Sequence, residues 1–395
     1  MAWTRGRSEV EKAAHGSRAY DAYCASSYRF CQPKLNAWAL LLHTLRTGRP
    51  DRTLQVKNAN LGMNEQSQTP DVAVKRVPVV SVVVPTRNRE ALLRETLASV
   101  RALEGADVQI ELIVVDNGST DGTPAVAAAF GARFTQAATP GASAARNAGF
   151  RIATGDYITF LDDDDIWLPG HLRPHLKMLE SRPDLDAAVG QIQLTDFALE
   201  PIGDPYPATM PDDGDVFRSF LVTTPQVGAT VARMCVRDTV GYFDEALISS
   251  EDWDWHLRLA LQHRIGFVPA PSILFRQRLM ATFDDLHWMR MAYGRRVFVR
   301  NLRRAGRRRR PPWASAVRTY LRHRGVSYSY FARSAIAHAE AGERSALRRC
   351  VWCAIVASPL HAAHDLARET DMRRAVTSLV FRRGVSAASG DAANR

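Results

Sequence analysis

Four aspartates in succession, Asp162, Asp163, Asp164 and Asp165, follow directly on the apolar run Tyr157-Ile158-Thr159-Phe160-Leu161. Four like charges repel one another and are costly at the end of a buried strand. A positive partner should meet them. Hard divalent cations such as Mg²⁺ or Mn²⁺ take carboxylate oxygens and keep substrate phosphates in their shell, so a metal carrying a diphosphate is one partner that fits. The competing reading is a solvated acidic loop, or a set of carboxylates capping the helix that follows. A second acidic group, Glu251, Asp252 and Asp254, opens another helical stretch. Carboxylates are favoured there by the helix dipole, which makes them ordinary helix acids on one reading. On the other, a carboxylate within hydrogen-bond reach of a hydroxyl is a general base.

The elements that must position these groups follow a regular pattern. Residues 79–84 are a continuous apolar strand run ended by Pro85. Residues 90–102 have helical spacing, with Leu92, Leu93, Leu97 and Val100 on one side. Residues 110–115 form a second strand, and Asp116-Asn117-Gly118-Ser119-Thr120-Asp121-Gly122 a turn. Pro124 then stands where a helix can begin. A short strand is expected at 133–136, a helix of small residues at 142–152, a strand at 157–161 and a helix at 172–179. Further extended segments are expected at 187–194, 229–235 and 265–268, with a helix running from Glu251 to about His263. Such alternation predicts an α/β fold with a mostly parallel sheet. Ligands of such sheets bind beyond the carboxyl ends of the strands. Pro85, Thr86 and Asn88, then Asp116, then the four aspartates all fall at such ends, which makes one composite site.

The chain has 395 residues and a formal charge of +11. From Arg276 onward 25 Lys/Arg stand against 8 Asp/Glu, a net of +17, which leaves residues 1–275 at −6. The basic character therefore belongs to the C-terminal segment, where Arg303, Arg304 and Arg307 to Arg310 cluster. A solvated basic face, contact with an anionic membrane surface and nucleic-acid binding are the three readings. No recognisable nucleic-acid module accompanies the charges, which disfavours the third. Five cysteines make no disulfide pattern, and Cys350-Val351-Trp352-Cys353 lies in a helical pattern with no second ligand pair, so packing is expected of it. The N-terminus has no apolar signal core and no stretch is long enough to span a bilayer, so a cytoplasmic protein is expected, with peripheral contact at the inner face of the membrane left open. The organisation expected is an extension over 1–77, an α/β domain over 78–280 in two halves, 78–195 and 196–280, and a basic helical region over 281–395 with a disordered end.

Six segments occur in order: Ser81-Val-Val-Val-Pro85-Thr86-Arg-Asn88, Val114-Val-Asp116-Asn-Gly-Ser-Thr-Asp121, Gly141-Ala-Ser-Ala-Ala-Arg146-Asn-Ala-Gly149, Phe160-Leu-Asp162-Asp-Asp164-Asp165, Gly241-Tyr-Phe-Asp-Glu245 and Glu251-Asp252-Trp-Asp-Trp-His-Leu-Arg258. Together they resemble the family 2 glycosyltransferases of the GT-A fold, a Rossmann-like sheet with helices on both faces, over roughly residues 79–280. The resemblance implies a nucleotide-diphosphate sugar, UDP by default, a divalent metal (Mn²⁺ or Mg²⁺), inversion at the anomeric carbon, and a hydroxyl acceptor on a glycan or lipid-linked molecule. It gives the half 78–195 to the nucleotide sugar and the half 196–280 to the acceptor, and places Pro85, Thr86, Asn88, Asp116, Arg146, Asp162 and Asp163 on the donor. It maps the family's D-x-D onto Asp162-Asp163-Asp164, with Asp164 a direct metal ligand and Asp162 facing the ribose or the metal. It makes Asp252 the general base, with Glu251 and Asp254 as alternatives, and puts Glu251 and Trp253 toward the acceptor. Trp253 and Trp255 are read either as sugar-stacking or as core residues.

Departures bear on the details. The Gln-x-x-Arg-Trp motif and membrane spans of processive relatives do not occur, which favours transfer of one sugar. No histidine follows Pro271 at the place where many relatives have a metal-supporting one, and Arg276 or Arg278 is expected on the diphosphate instead. A dinucleotide oxidoreductase would need G-x-G-x-x-G after the first strand, where Pro85-Thr-Arg-Asn-Arg-Glu90 stands. A catalytically silent module on the same fold, acting through its basic tail, is the alternative that the intact Asp162–Asp165 run and Asp252 disfavour.

Overall fold

The computed structural model describes residues 76–211, 214–276, 284–368, 372–374 and 376–377. The 1–77 extension and Arg278 lie outside them but for Arg76 and Val77. From Val77 on the chain forms one compact unit. Its strands are β1 (Val79–Thr86), β2 (Gln109–Asp116), β3 (Arg133–Gln136), β4 (Tyr157–Phe160), β5 (Ile166–Trp167), β6 (Ala187–Thr195), β7 (Thr230–Arg233) and β8 (Ile265–Arg276). The helices between them are α1 (Glu90–Arg101), α2 (Thr123–Ala129), α3 (Ala142–Ile152), α4 (Leu172–Ser181), α5 (Phe217–Val222), α6 (Val236–Thr239) and α7 (Glu251–Gln262). Four more follow: α8 (Asp284–Arg304), α9 (Trp313–Glu340), α10 (Arg344–Ala357) and α11 (Pro359–Ala367).

The eight strands lie in one sheet in the order β3-β2-β1-β4-β7-β6-β8-β5. The first four pair in parallel, as the strand–helix alternation predicts. The remainder is mixed: β7 runs antiparallel to β4 and β6, β8 parallel to β6, and β5 antiparallel to β8. β8 is far longer than the extended stretch expected at 265–268, because it continues along β6 as far as Arg276.

Both faces of the sheet are apolar, which is why its strands read as continuous hydrophobic runs rather than alternating ones. Val82, Leu112 and Val114 face one layer with Leu93 and Leu97 of α1 and Leu176 of α4. Val83, Ile113, Val115 and Phe160 face the other, with Phe150 of α3, Phe217 and Phe220 of α5, and Trp253 and Trp255 of α7. Val297, Phe298 and Ala305 belong to this second layer. So α8 packs into the α/β core. Helices α9 to α11 form a smaller core with Met291, around Phe331, Ala335, Cys350 and Ala354. Cys350 is buried there among apolar neighbours, as the packing reading of the Cys-x-x-Cys expects. Among the described residues no helix is long and apolar enough to cross a membrane.

One glycine sets the position of α3. A Cβ on Gly149 would lie 2.4 Å from Val83 and 3.0 Å from Val115, so only glycine lets this helix rest so closely on β1 and β2. That contact carries Arg146, one turn earlier on α3, up to the carboxyl edge of the sheet.

Candidate active site

The loop after β1 and the turn after β2 are laced together. Asn88, with φ of 51°, accepts the Thr120 N–H through its side-chain oxygen at 2.7 Å, and its own N–H donates to the Ser119 hydroxyl at 2.9 Å. Asp116 is buried and accepts the Ser119 N–H at 3.0 Å. Both are thereby engaged in holding the edge in shape, the capping role that short acids and amides take in turns. Pro85 and the buried Thr86 end β1 beside them, and the Thr86 hydroxyl sits next to the Asp163 carboxyl.

The four aspartates are not equivalent. Asp163 takes an ion pair from Arg89, which also lies 3.4 Å from Asp164. Burial raises the pKa of Asp163, with Arg89 pulling the other way. Asp165 is almost wholly enclosed, and burial followed by the charges of Asp162 and Asp164 raises its pKa well above the usual range. It accepts the Arg276 N–H at 3.1 Å. Both are thereby engaged within the loop and its neighbours. Asp162, whose side chain is 32% exposed, is the most open of those with a bonded partner.

Arg146 joins this loop to the other acidic group. It donates through Nη2 to Asp162 at 2.7 Å and through Nη1 to Glu251 at 2.8 Å, and it lies over the Phe243 ring. Its side chain is 6% exposed. Burial would favour loss of its proton, but Asp162 and Glu251 outweigh burial and raise its pKa. Its buried Nε has no partner among the described residues. Next to it on α3, Asn147 exchanges hydrogen bonds with the backbone of Phe243 (3.0 and 2.9 Å) and donates to Glu245 at 2.8 Å, pinning the Gly241–Glu245 turn.

At the start of α7, three carboxylates meet three environments. Glu251 is bound to Arg146. Asp254 is 1% exposed and held by Arg258, Arg300 and Asn301; burial would raise its pKa, but these partners, Arg258 first, bring it below the usual value. Asp252 has no cationic partner within ion-pair distance among the described residues. Its Oδ1 accepts only the Trp253 N–H at 2.7 Å. Burial, and then the neighbouring Glu251 charge, push its pKa from 3.8 up to about 6 against the pull of Arg146. The buried His256 holds the Asp252 carbonyl at 2.8 Å and the Thr230 hydroxyl at 2.9 Å, and burial lowers its own pKa to about 3.

Other expected residues fall elsewhere. Trp253 is a core residue: its ring packs near Phe298 and His323, and its indole N–H donates to the Phe220 carbonyl at 2.7 Å. Trp255 is likewise buried, stacked on Phe243 at 5.4 Å. The sugar-stacking expectation for Trp253 is therefore corrected: an amphipathic helix buries its large aromatics, and the only polar atom of this one is satisfied inside. Arg276 does arrive at the acidic loop; its side chain is 3% exposed and paired with Glu95, while Nε and Nη1 are buried without a partner.

Sequence reasoning missed Arg89, Asn147, His256 and Tyr206. Arg89 and Asn147 lie beside motif residues and could have been found as the neighbours needed to hold them. Tyr206 gives no such signal. It stands in an irregular stretch, yet burial raises its pKa against the pull of a hydrogen bond with Gln226, and the charges of Asp252 and Asp165 both add to the rise.

The sequence profile described as "Glycosyl transferase family 2" matches residues 81–246. "Uncharacterized glycosyltransferase YwdF" of Bacillus subtilis (strain 168) is 30% identical over 202 residues, which span 50% of this chain and 73% of that protein. The chain belongs to the family 2 glycosyltransferases. "Glycosyltransferase AglE" of Haloferax volcanii is 29% identical over 203 residues, 46% of this chain and 61% of that protein. Among solved structures, S. aureus TarS 1-349 in complex with UDP-GlcNAc superposes with a TM-score of 0.50 at 18% identity, covering 76% of this chain and 88% of that one. The likeness is one of fold, the GT-A arrangement of sheet and helices. The protein is a glycosyltransferase enzyme of this fold.

Proposed function

We propose that this glycosyltransferase moves a single sugar from a nucleotide-diphosphate sugar to an acceptor hydroxyl with inversion at the anomeric carbon, Asp252 acting as general base. One observation carries the reading: Arg146 binds Asp162 and Glu251 at once, which draws the aspartate loop and the start of α7 into a single pocket edge. The acceptor oxygen attacks the anomeric carbon, its proton passes to Asp252, and the bond from that carbon to the diphosphate oxygen breaks. A base with a pKa of about 6 is ionised at neutral pH and still accepts a proton readily. Glu251 and Asp254 are each tied to arginine and less suited to the task.

The donor set fits a hard divalent cation. Asp162 and Asp164 offer carboxylate oxygens, and Mg²⁺ commonly takes one or two carboxylates and completes its shell with phosphates and water. Asp162 and Asp164 are the ligands this reading assigns, from the D-x-D resemblance; among the described residues no group of three or more His, Cys, Asp or Glu that could hold a metal ion occurs. When bound, the cation supplies charge neutralisation for the departing diphosphate. This reading assigns Arg276, whose buried Nε and Nη1 have no hydrogen-bond partner among the described residues, to that same leaving group. A uridine diphosphate sugar is the first donor to try, since the TarS fragment was solved with UDP-GlcNAc.

A thermal-shift panel of nucleotide diphosphates with and without Mn²⁺ tests the donor half, because a ligand bound only by the folded state raises its melting temperature. Asp252→Asn tests the rest: it should keep the donor-dependent shift and lose transfer, and transfer at the wild-type rate would remove Asp252 from its role.

A further inference from the structure

Helix α8 borders an open cavity of about 980 Å³ whose wall includes Tyr293 and five arginines, Arg295, Arg296, Arg300, Arg303 and Arg304. Two of the five are committed inward. Arg300 lies 2.7 Å from both Asp244 and Asp254, and Arg304 lies 3.7 Å from Asp254. Arg295, Arg296 and Arg303 are exposed and make no ion pair among the described residues. Arg296 acts on Asp244 only at longer range, and Arg300 already occupies that acid. The cavity therefore carries an excess of positive charge. Arg304 registers it: burial lowers its pKa, and the charges of Arg300 and Arg258 add to that against the pull of Asp254.

The same helix is joined to the catalytic one. Asn301 of α8 donates to Asp254 of α7 at 2.8 Å, and Arg290, earlier on α8, is among the charges acting on Asp252. An occupant of the cavity would thus sit on the helix that borders the proposed base. Guanidinium groups bind phosphate oxygens in pairs of parallel hydrogen bonds, and several around a concavity suit a phosphate far better than a neutral hydroxyl. A concave wall also suits a chain that threads in better than a flat bilayer that rests on a protruding face.

Resting on the transferase reading above, we propose that the arginine cavity of α8 binds a phosphate group of the acceptor, so that the acceptor is a soluble phosphodiester-bearing molecule whose hydroxyl is presented to Asp252. The charge both steers the acceptor in and fixes its register.

The test uses the full chain and a fluorescein-labelled glycerol-phosphate oligomer as probe, read by anisotropy over a salt series. The wild type should bind at low salt and lose affinity as salt rises. Replacing Arg295, Arg296 and Arg303 together by Gln should weaken binding by about tenfold or more, as expected on losing charge-assisted contacts. Arg295→Gln alone, should the triple variant fold poorly, should weaken it by about threefold. No binding by the wild type, or a change under twofold in the triple variant, overturns the proposal. So does binding to phosphatidylglycerol vesicles with none to the oligomer, which would make the cavity a membrane contact. The UDP and Mn²⁺ thermal shift of the wild type separates the two readings. A shift without oligomer binding removes the cavity claim alone, whereas oligomer binding without any nucleotide shift removes the transferase reading and leaves the cavity standing.

Discussion

Asp252→Asn should change stability as well as activity, with a sign fixed by the enclosure of this carboxyl. Its pKa is 3.8 in an ordinary setting and about 6 in the fold. A carboxyl whose pKa is raised on folding favours the native state only while protonated. Below pH 3.8 both states hold the proton and nothing is lost; above about 6 the native state bears the full penalty of a charge it cannot solvate. Converting the difference gives a penalty of ~3 kcal/mol at pH 8, of which ~1.6 kcal/mol is already present at pH 5. Because Asp252 is only partly covered, water screens part of this penalty and these are upper bounds. Asparagine keeps the oxygen that accepts the Trp253 N–H and removes the charge. The variant should therefore be more stable than wild type, and its advantage should grow by about 1 kcal/mol between pH 5 and pH 8. Urea unfolding of both proteins at the two pH values measures this. In parallel, wild-type kcat/KM should rise through an apparent pKa near 6 and then level off, since the base must be ionised. An advantage that stayed flat or shrank with rising pH would refute the claim that Asp252 is a desolvated carboxylate, and the base assignment would lose its physical ground.

Arg146→Gln should destabilise the protein by about 3 kcal/mol in denaturant unfolding, because it leaves Asp162 and Glu251 without the cation that compensates them. Asp164→Asn should weaken metal-dependent donor binding by at least about tenfold in Mn²⁺ calorimetry, while donor binding without metal changes little. Trp253→Phe should lower stability by about 1–3 kcal/mol, by stranding the Phe220 carbonyl and leaving a void, with the acceptor KM unchanged.

The first half of the fold was legible because its physics is local. Val79–Thr86 and Gln109–Asp116 are buried on both faces, and such strands must be continuous apolar runs. The helices between them bury one stripe each, and the polar residues that end the strands are those the site uses. The second half was less legible. The antiparallel entry of β7 and the long β8 depend on pairings between segments more than 40 residues apart, which no local period encodes. The helix α8 was read as part of a separate basic region because its arginines dominate the sequence. Among the described residues its buried positions are only Met291, Val297, Phe298 and Asn301, too few to announce a core helix amid so much charge.

The same contrast explains how far the site could be read. Glu251, Asp252 and Asp254 look alike in the sequence: three acids in the first turn of one helix, each favoured by its dipole. Rotation around the helix separates them. Asp254 faces inward and meets Arg258, Arg300 and Asn301, so its charge is spent on holding α8 against α7. Glu251 faces α3 and meets Arg146. Asp252 points a further ~100° round the helix, away from both; partly covered and without an ion-pair partner among the described residues, it is left as a carboxylate charged at neutral pH and ready to take a proton. Helical geometry could show that the three must diverge, but which one would be left unpaired depends on arginines 105 residues upstream and 46 residues downstream in the chain. A catalytic base on such a helix is defined by the partners it lacks, and a sequence spells out residues without spelling out which of them fail to meet.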